Sequence, residues 1–147
     1  EGTNAVAFID LDTVGPIALA HELGDALRSW CNAAGEDHPN PEIDERAHAA
    51  AVQGYFEGWR GPLDRTRRAQ VAEALLVGLP WICLELSARF AADALNERYF
   101  GWDEAAFPTR GAHNLWRARG QLALAESALR CEPRRRSHIE LAATSDV

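Results

Sequence analysis

Apolar residues recur along the chain with two different periods. Ala5-Val-Ala-Phe-Ile9 is a short continuous apolar run ending in Asp10-Leu-Asp-Thr13, the pattern of a buried strand of a small sheet over about Ala5–Leu11. Beyond Gly15-Pro16 the period changes to three and four. Leu23, Leu27, Trp30 and Cys31 predict a helix from about His21 to Cys31, with Glu22 in the first turn, where the helix dipole favours negative charge. Asn40-Pro41 reads as an N-cap and first-turn pair for a second helix to about Glu57, which Gly58 to Pro62 would end. Asp64 is a candidate N-cap for a third helix to about Val77.

Pro80 has no amide hydrogen to donate, so a break near Gly78-Leu79 is expected, followed by a fourth helix from about Trp81 to Arg98. Val71, Leu75, Leu79, Ile82, Leu86 and Phe90 nevertheless continue as one stripe across it. A last helix is predicted from about His113 to Arg130, with Leu115, Leu122 and Leu129 seven apart. Past Pro133 the polar stretch Arg134-Arg-Arg136 to Val147 reads as a mobile, solvated tail. The expected core includes Phe8, Leu23, Leu27, Trp30, Leu75, Ile82, Leu86, Phe90 and Leu122. The division is then one domain over 1–131 and a flexible tail over 132–147, with no internal repeat.

Composition narrows the classes. The 147 residues are 47% hydrophobic and 25% charged, an ordinary globular balance for one domain. A formal net charge of −7 argues against nucleic-acid binding by general electrostatics. Cys31, Cys83 and Cys131 are odd in number and far apart, which suits no disulfide framework and points to a cytoplasmic protein. No apolar run is read as a membrane span and no signal peptide is visible. All fifteen basic residues are arginines, a usage that suits a GC-rich bacterial genome. There is no methionine, and Glu1-Gly2-Thr3-Asn4 reads as a hairpin turn without a partner strand, so a piece of a longer protein is expected.

Asp10 and Asp12 carry the clearest chemistry. Two apart on a strand, they share a face. Their mutual repulsion is relieved by a cation, and magnesium takes carboxylate and phosphate oxygens. The competing reading is that they only end the strand and cap a turn. Asp10-Leu-Asp-Thr-Val14 also fits the opening motif of haloacid-dehalogenase-type phosphatases, a fold that needs further parallel strands. The five histidines share no ligand spacing. Glu85 and Arg89, four apart, read as a helical ion pair.

The blocks Phe8-Ile-Asp-Leu-Asp-Thr13, then Glu22 twelve residues after Asp10, then Leu23-Gly-Asp-Ala-Leu-Arg28 resemble the aminoglycoside phosphotransferase-like kinase family. Glu85-x-x-x-Arg89-Phe-x-x-Asp93, Tyr99-Phe100 and His113-Asn-Leu-x-Arg-Ala-Arg-x-Gln121 extend the resemblance, closest to N-acetylhexosamine 1-kinase-like sugar kinases. It implies a mainly α chain, the helical C-terminal portion of a protein-kinase-like fold with a short N-terminal strand. It implies ATP as co-substrate and Mg2+ held by Asp10, with Asp12 a weaker candidate because relatives often have glycine there. Arg89 and Tyr99 would line a sugar or amino-sugar pocket. Glu22, where the family usually has aspartate, Asp25 and Arg28 would support the site. The family's His-Gly-Asp catalytic loop and its nucleotide lobe with its lysine have no counterpart here, so the base and most ATP contacts are expected upstream of Glu1. The partner is then a small-molecule substrate, with neither nucleic acid nor membrane. The rival class is a non-catalytic helical interaction module.

Overall fold

The computed structural model describes Ala7 and residues 14–60 and 63–144, of which helices take up 71%. The expected strand, apart from Ala7, lies outside the described residues, as do Phe8, Asp10 and Asp12. Among the described residues there are five helices and no strand. They are α1 (Leu19–Trp30), α2 (Glu45–Gly58), α3 (Arg65–Asn96), α4 (Arg110–Arg130) and α5 (Glu132–Thr144).

Local chemistry sets the helix starts. Asp64 caps α3 by accepting from the Arg67 amide at 2.7 Å, as its position suggests. The cap of α2 is Asp44 rather than Asn40: its Oδ1 accepts from the Arg46 and Ala47 amides at 2.9 and 3.0 Å. Residues 41–44 therefore belong to the preceding loop. Thr109 caps α4 through the Ala112 amide, one turn before the start expected at His113.

α3 is the spine, packed against α1 and α4, while α2 packs chiefly on α5. Leu23 and Leu27 of α1, Val52 and Phe56 of α2, Val71, Leu75, Leu79 and Cys83 of α3, and Leu124 and Ala128 of α4 form one core. Two glycines bring α1 onto α3. A Cβ on Gly24 would strike the Gly78 carbonyl, and one on Gly78 would strike the Ala20 carbonyl. This close backbone contact fixes where α1 lies.

Three expectations are corrected. First, α3 does not break at Pro80. The proline leaves the Leu76 carbonyl, four residues back, without its helical donor. Arg135 supplies one: its Nη1 donates to Leu76 O at 3.0 Å, and its Nε donates to Ala128 O at 3.0 Å. Second, the segment expected to be a mobile tail is α5. Arg135, Ile139 and Ala142 are all buried, on one helical face. Of the arginine triplet, Arg134 pairs with Glu45 and Arg136 with Glu132, so only Arg135 turns inward. Third, the unbroken α3 contains a stretch long and apolar enough, by length and composition, to cross a membrane, contrary to the reading that no such run exists. Here its core-facing side is buried against α1 and α4.

The expected core holds at Leu23, Leu27, Leu75 and Phe90, while Ile82 and Leu86 are half-buried. Trp30 is 63% exposed because Cys31, next in the chain, takes the buried place at the end of α1. Leu122 is 44% exposed, because α4 buries Ala118, Gln121, Leu124, Ala125 and Ala128 instead of its leucine row.

Candidate binding cleft

A cleft of about 800 Å³ opens between α1 and the middle of α3. Three sequence blocks meet there: Glu22, Asp25 and Arg28 of α1, Glu85 and Arg89 of α3, and Arg117 of α4. Val14 and Gly15 stand at its edge, immediately after the Asp10–Thr13 stretch. Phe90 and Phe100 add aromatic surface. The α1–α3 glycine contact lies beside the cleft and fixes how far apart its two main walls stand.

The charges are largely paired, which limits what they can do. Arg28 joins Asp25, with Nη2 to Oδ1 at 3.0 Å, to Glu36, with Nη1 to Oε1 at 3.5 Å. The helix-turn pairing of Asp25 with Arg28 is therefore present, and through Glu36 it also ties the α1–α2 loop to the cleft wall. Arg89 is looser. Its Nε lies 3.7 Å from Glu85 Oε1, and both side chains are nearly half exposed. The Arg89 guanidinium stands 5.7 Å from the Tyr99 ring centre and 5.5 Å from that of Phe100, within cation–π range. An arginine held over aromatic faces beside an open cleft keeps N–H groups available for hydroxyl or carbonyl oxygens.

Tyr99 does not line the cleft. It is 73% exposed and lies behind Arg89, edge-on to Phe100, which takes the place at the wall. Glu22 does line it, in the first turn of α1.

Two groups of residues around the cleft have no role assigned from sequence, although Asp93, His113, Asn114 and Arg117 stand in the blocks quoted above. Asp93, buried near the end of α3, accepts from the Arg98, Tyr99 and Phe100 amides and from Asn114 Nδ2, all at 2.9 Å. Burial works to raise its carboxyl, but the backbone donors outweigh it and hold the group below the usual carboxylate value. Asp93 thereby shapes the turn that presents Tyr99 and Phe100 beneath Arg89. A carboxylate six residues before an aromatic pair at a helix end was the available signal.

The second group is centred on Asp37. Its Oδ1 accepts from Arg117 Nε at 2.6 Å and His113 Nε2 at 2.9 Å, and its carbonyl accepts from Trp116 Nε1 at 2.7 Å. The Arg117 hydrogen bond holds the Asp37 carboxyl below its usual value. His113 Nδ1 accepts from the Asp103 amide at 3.0 Å, so the ring proton lies on Nε2, toward Asp37. Phe107 stacks on the imidazole at 4.1 Å. With both nitrogens engaged, His113 is a brace for the loop and not a free base. Arg117 also donates to Gly101 O at 2.8 Å, joining the two loops that border the cleft.

Among the described residues no three His, Cys, Asp or Glu side chains are grouped to hold a metal ion. The acids of the cleft do not form such a set, and a magnesium site would rest on Asp10 and Asp12, outside the described residues. Cys31 and Cys83 are buried free thiols pushed up by that burial to about 11 and about 12, which suits packing and not nucleophilic chemistry. No protein-family model matches the chain, and no solved structure matches it.

Proposed function

We propose that the α1–α3 cleft is the acceptor subsite of an ATP- and magnesium-dependent phosphotransferase acting on a hydroxyl of a sugar or amino sugar. One observation carries the reading: residues from separate blocks of the kinase-like pattern, Glu22, Asp25, Arg28 and Arg89, line one cleft with Phe90 and Phe100. Carboxylates and an available arginine beside aromatic faces suit a polyhydroxy ligand, whose hydroxyls donate and accept while its ring face packs on an aromatic surface. In this proposal the helical bundle is the C-terminal portion of a protein-kinase-like fold in a cytoplasmic enzyme. Asp10 and, secondarily, Asp12 hold Mg2+, which would neutralise charge on the phosphates of ATP. The general base and the ATP-binding lobe come from sequence outside these 147 residues.

Arg89 positions the acceptor, and Asp93 sets the turn beneath it. The test is titration of this chain with glucosamine, galactosamine and their N-acetyl forms, followed by NMR at the arginine Nε–H signals. A hexosamine should shift the Arg89 signal, and Arg89→Ala should weaken that binding roughly ten- to a hundredfold, the effect of losing a charge-assisted hydrogen bond of about 1.5–3 kcal/mol. Magnesium-dependent transfer from ATP by the native gene product, lost in Asp10→Asn, tests the reaction itself. Absence of any sugar-dependent shift would remove the acceptor subsite. Phosphate release from phosphosugars without ATP would replace the kinase by a phosphatase.

A further inference from the structure

α3 and α4 run antiparallel, with Ser87 Oγ bonded to Ala118 O at 2.8 Å and Gly111 tight against the Ala94 carbonyl. Each helix turns one side to the core. The opposite side of α3 carries Val77, Trp81, Leu84, Ala88, Ala91, Ala92 and Leu95, without a charge among them. Trp81, Leu84 and Leu95 are 62%, 44% and 89% exposed. α4 places its leucine row, Leu115, Leu122 and Leu129, along the same outward side of the seam, 44–52% exposed. The strip runs about 27 Å from Val77 to Leu95 and is two helices, roughly 20 Å, wide. Its projected area is of the order of 500 Å² per copy, or about 1,000 Å² for two, at the threshold of a specific interface.

We propose that this face joins two copies of the chain in a two-fold antiparallel dimer centred on Leu122. The observation that selects a second copy is self-complementarity. Arg119 and Glu126 flank the leucine row on α4, three residues before and four after Leu122, and neither pairs with a described residue of its own chain. A two-fold axis at Leu122 sets Leu122 against itself and Leu115 against Leu129 of the second copy. It also brings Arg119 beside Glu126 of the second copy, twice over. By the Ser87–Ala118 register, Leu122 is level with Cys83, midway between Trp81 and Leu84. The same axis therefore sets Trp81 against Leu84 of the second copy. One operator satisfies the leucine row, the tryptophan and both charges. A lipid surface would leave Glu126 and Arg119 without partners of this geometry, and the chain carries net charge −7.

The experiment is sedimentation equilibrium across about three decades of concentration up to the millimolar range. The wild-type chain should reach twice its 16.2 kDa mass. Leu122→Glu places two carboxylates on the axis and should weaken the dimer at least about a hundredfold, with helix content unchanged and with Tm unchanged at concentrations where both chains are monomeric. Arg119→Glu should weaken it about tenfold, and adding Glu126→Arg should restore it. These two exposed positions keep the test valid if Leu122→Glu impairs folding. A monomer at every concentration would overturn the proposal, as would a dimer indifferent to both Leu122→Glu and the charge reversal. Binding of the monomer to uncharged phosphatidylcholine vesicles, with no dimer, would overturn it in favour of a lipid surface.

Discussion

Arg135 offers a decisive test of how a proline sits inside the longest helix. The residue is 1% exposed, no carboxylate among the described residues pairs with its guanidinium, and its two bonds go to backbone carbonyls. Ala128 O is one of the last four carbonyls of α4, and Leu76 O is the acceptor left open by Pro80. Arg135→Met keeps most of the volume and removes both donors. Each buried carbonyl left unpaired costs about 1–3 kcal/mol, while relief from burying a cation returns part of that. A net loss of about 2–4 kcal/mol is expected, a large share of the roughly 5–15 kcal/mol typical of a domain. Pro80→Ala restores an amide at position 80 and with it the helical donor to Leu76 O. In that background Arg135→Met should orphan only Ala128 O, so its cost should fall by about 1–2 kcal/mol. Urea unfolding of the four proteins, followed by far-UV ellipticity and tryptophan fluorescence, gives the cycle. Additivity within about 0.5 kcal/mol would refute the claim that Arg135 replaces the bond Pro80 removes.

Gly24→Ala and Gly78→Ala should each destabilise by about 1–3 kcal/mol, seen as a lower urea midpoint, because the new methyl meets backbone that cannot rotate away. His48 is fully buried, and burial, followed by Arg135 and His138, lowers its imidazole from 6.5 to about 4. The unfolded chain therefore takes up this proton first. The stability that neutral His48 contributes is complete above pH 6.5 and is lost, at up to about 1.4 kcal/mol per pH unit, as pH falls to about 4. His48→Leu should flatten that limb of the urea midpoint against pH. Asp93 acts further down. Its carboxyl is held below its usual 3.8, so its contribution is present above that value and disappears as pH falls below it. Asp93→Asn should flatten the most acidic limb and broaden the Tyr99 and Phe100 amide signals.

Periodicity revealed those elements whose stabilising contacts are local. The apolar rhythm of α1 and the cap at Asp64 need only neighbours within a turn or two, and the chain displays them. The same holds for the pairing of Asp25 with Arg28, which closes within one turn. The cleft adds a longer step, because Arg89 reaches the wall opposite Glu22 only through the glycine contact between α1 and α3. Gly24 and Gly78 are 54 positions apart, and nothing in either neighbourhood announces that they touch.

The misreadings at Pro80 and in the tail have one cause. Local rules say that proline ends a helix and that an arginine triplet is solvated. Each rule assumes that no distant group intervenes. The proline leaves an acceptor, the arginine has donors to place, and 55 residues separate them. Read singly, each is unfavourable in the interior; together they let α3 continue and hold α5 against it. The spacing of Arg135, Ile139 and Ala142 was visible as one helical face, but a cation at the first position concealed it as a core pattern. The leucine row of α4 is the converse case. A seven-residue repeat correctly marks an apolar surface, yet period alone does not say which partner covers it. In α4 the small residues Ala118, Ala125 and Ala128 let α3 approach closely and take the core side, leaving the leucines outside. Large exposed leucines beside buried alanines are the arrangement expected of a helix with two interfaces, one inside its own chain and one beyond it.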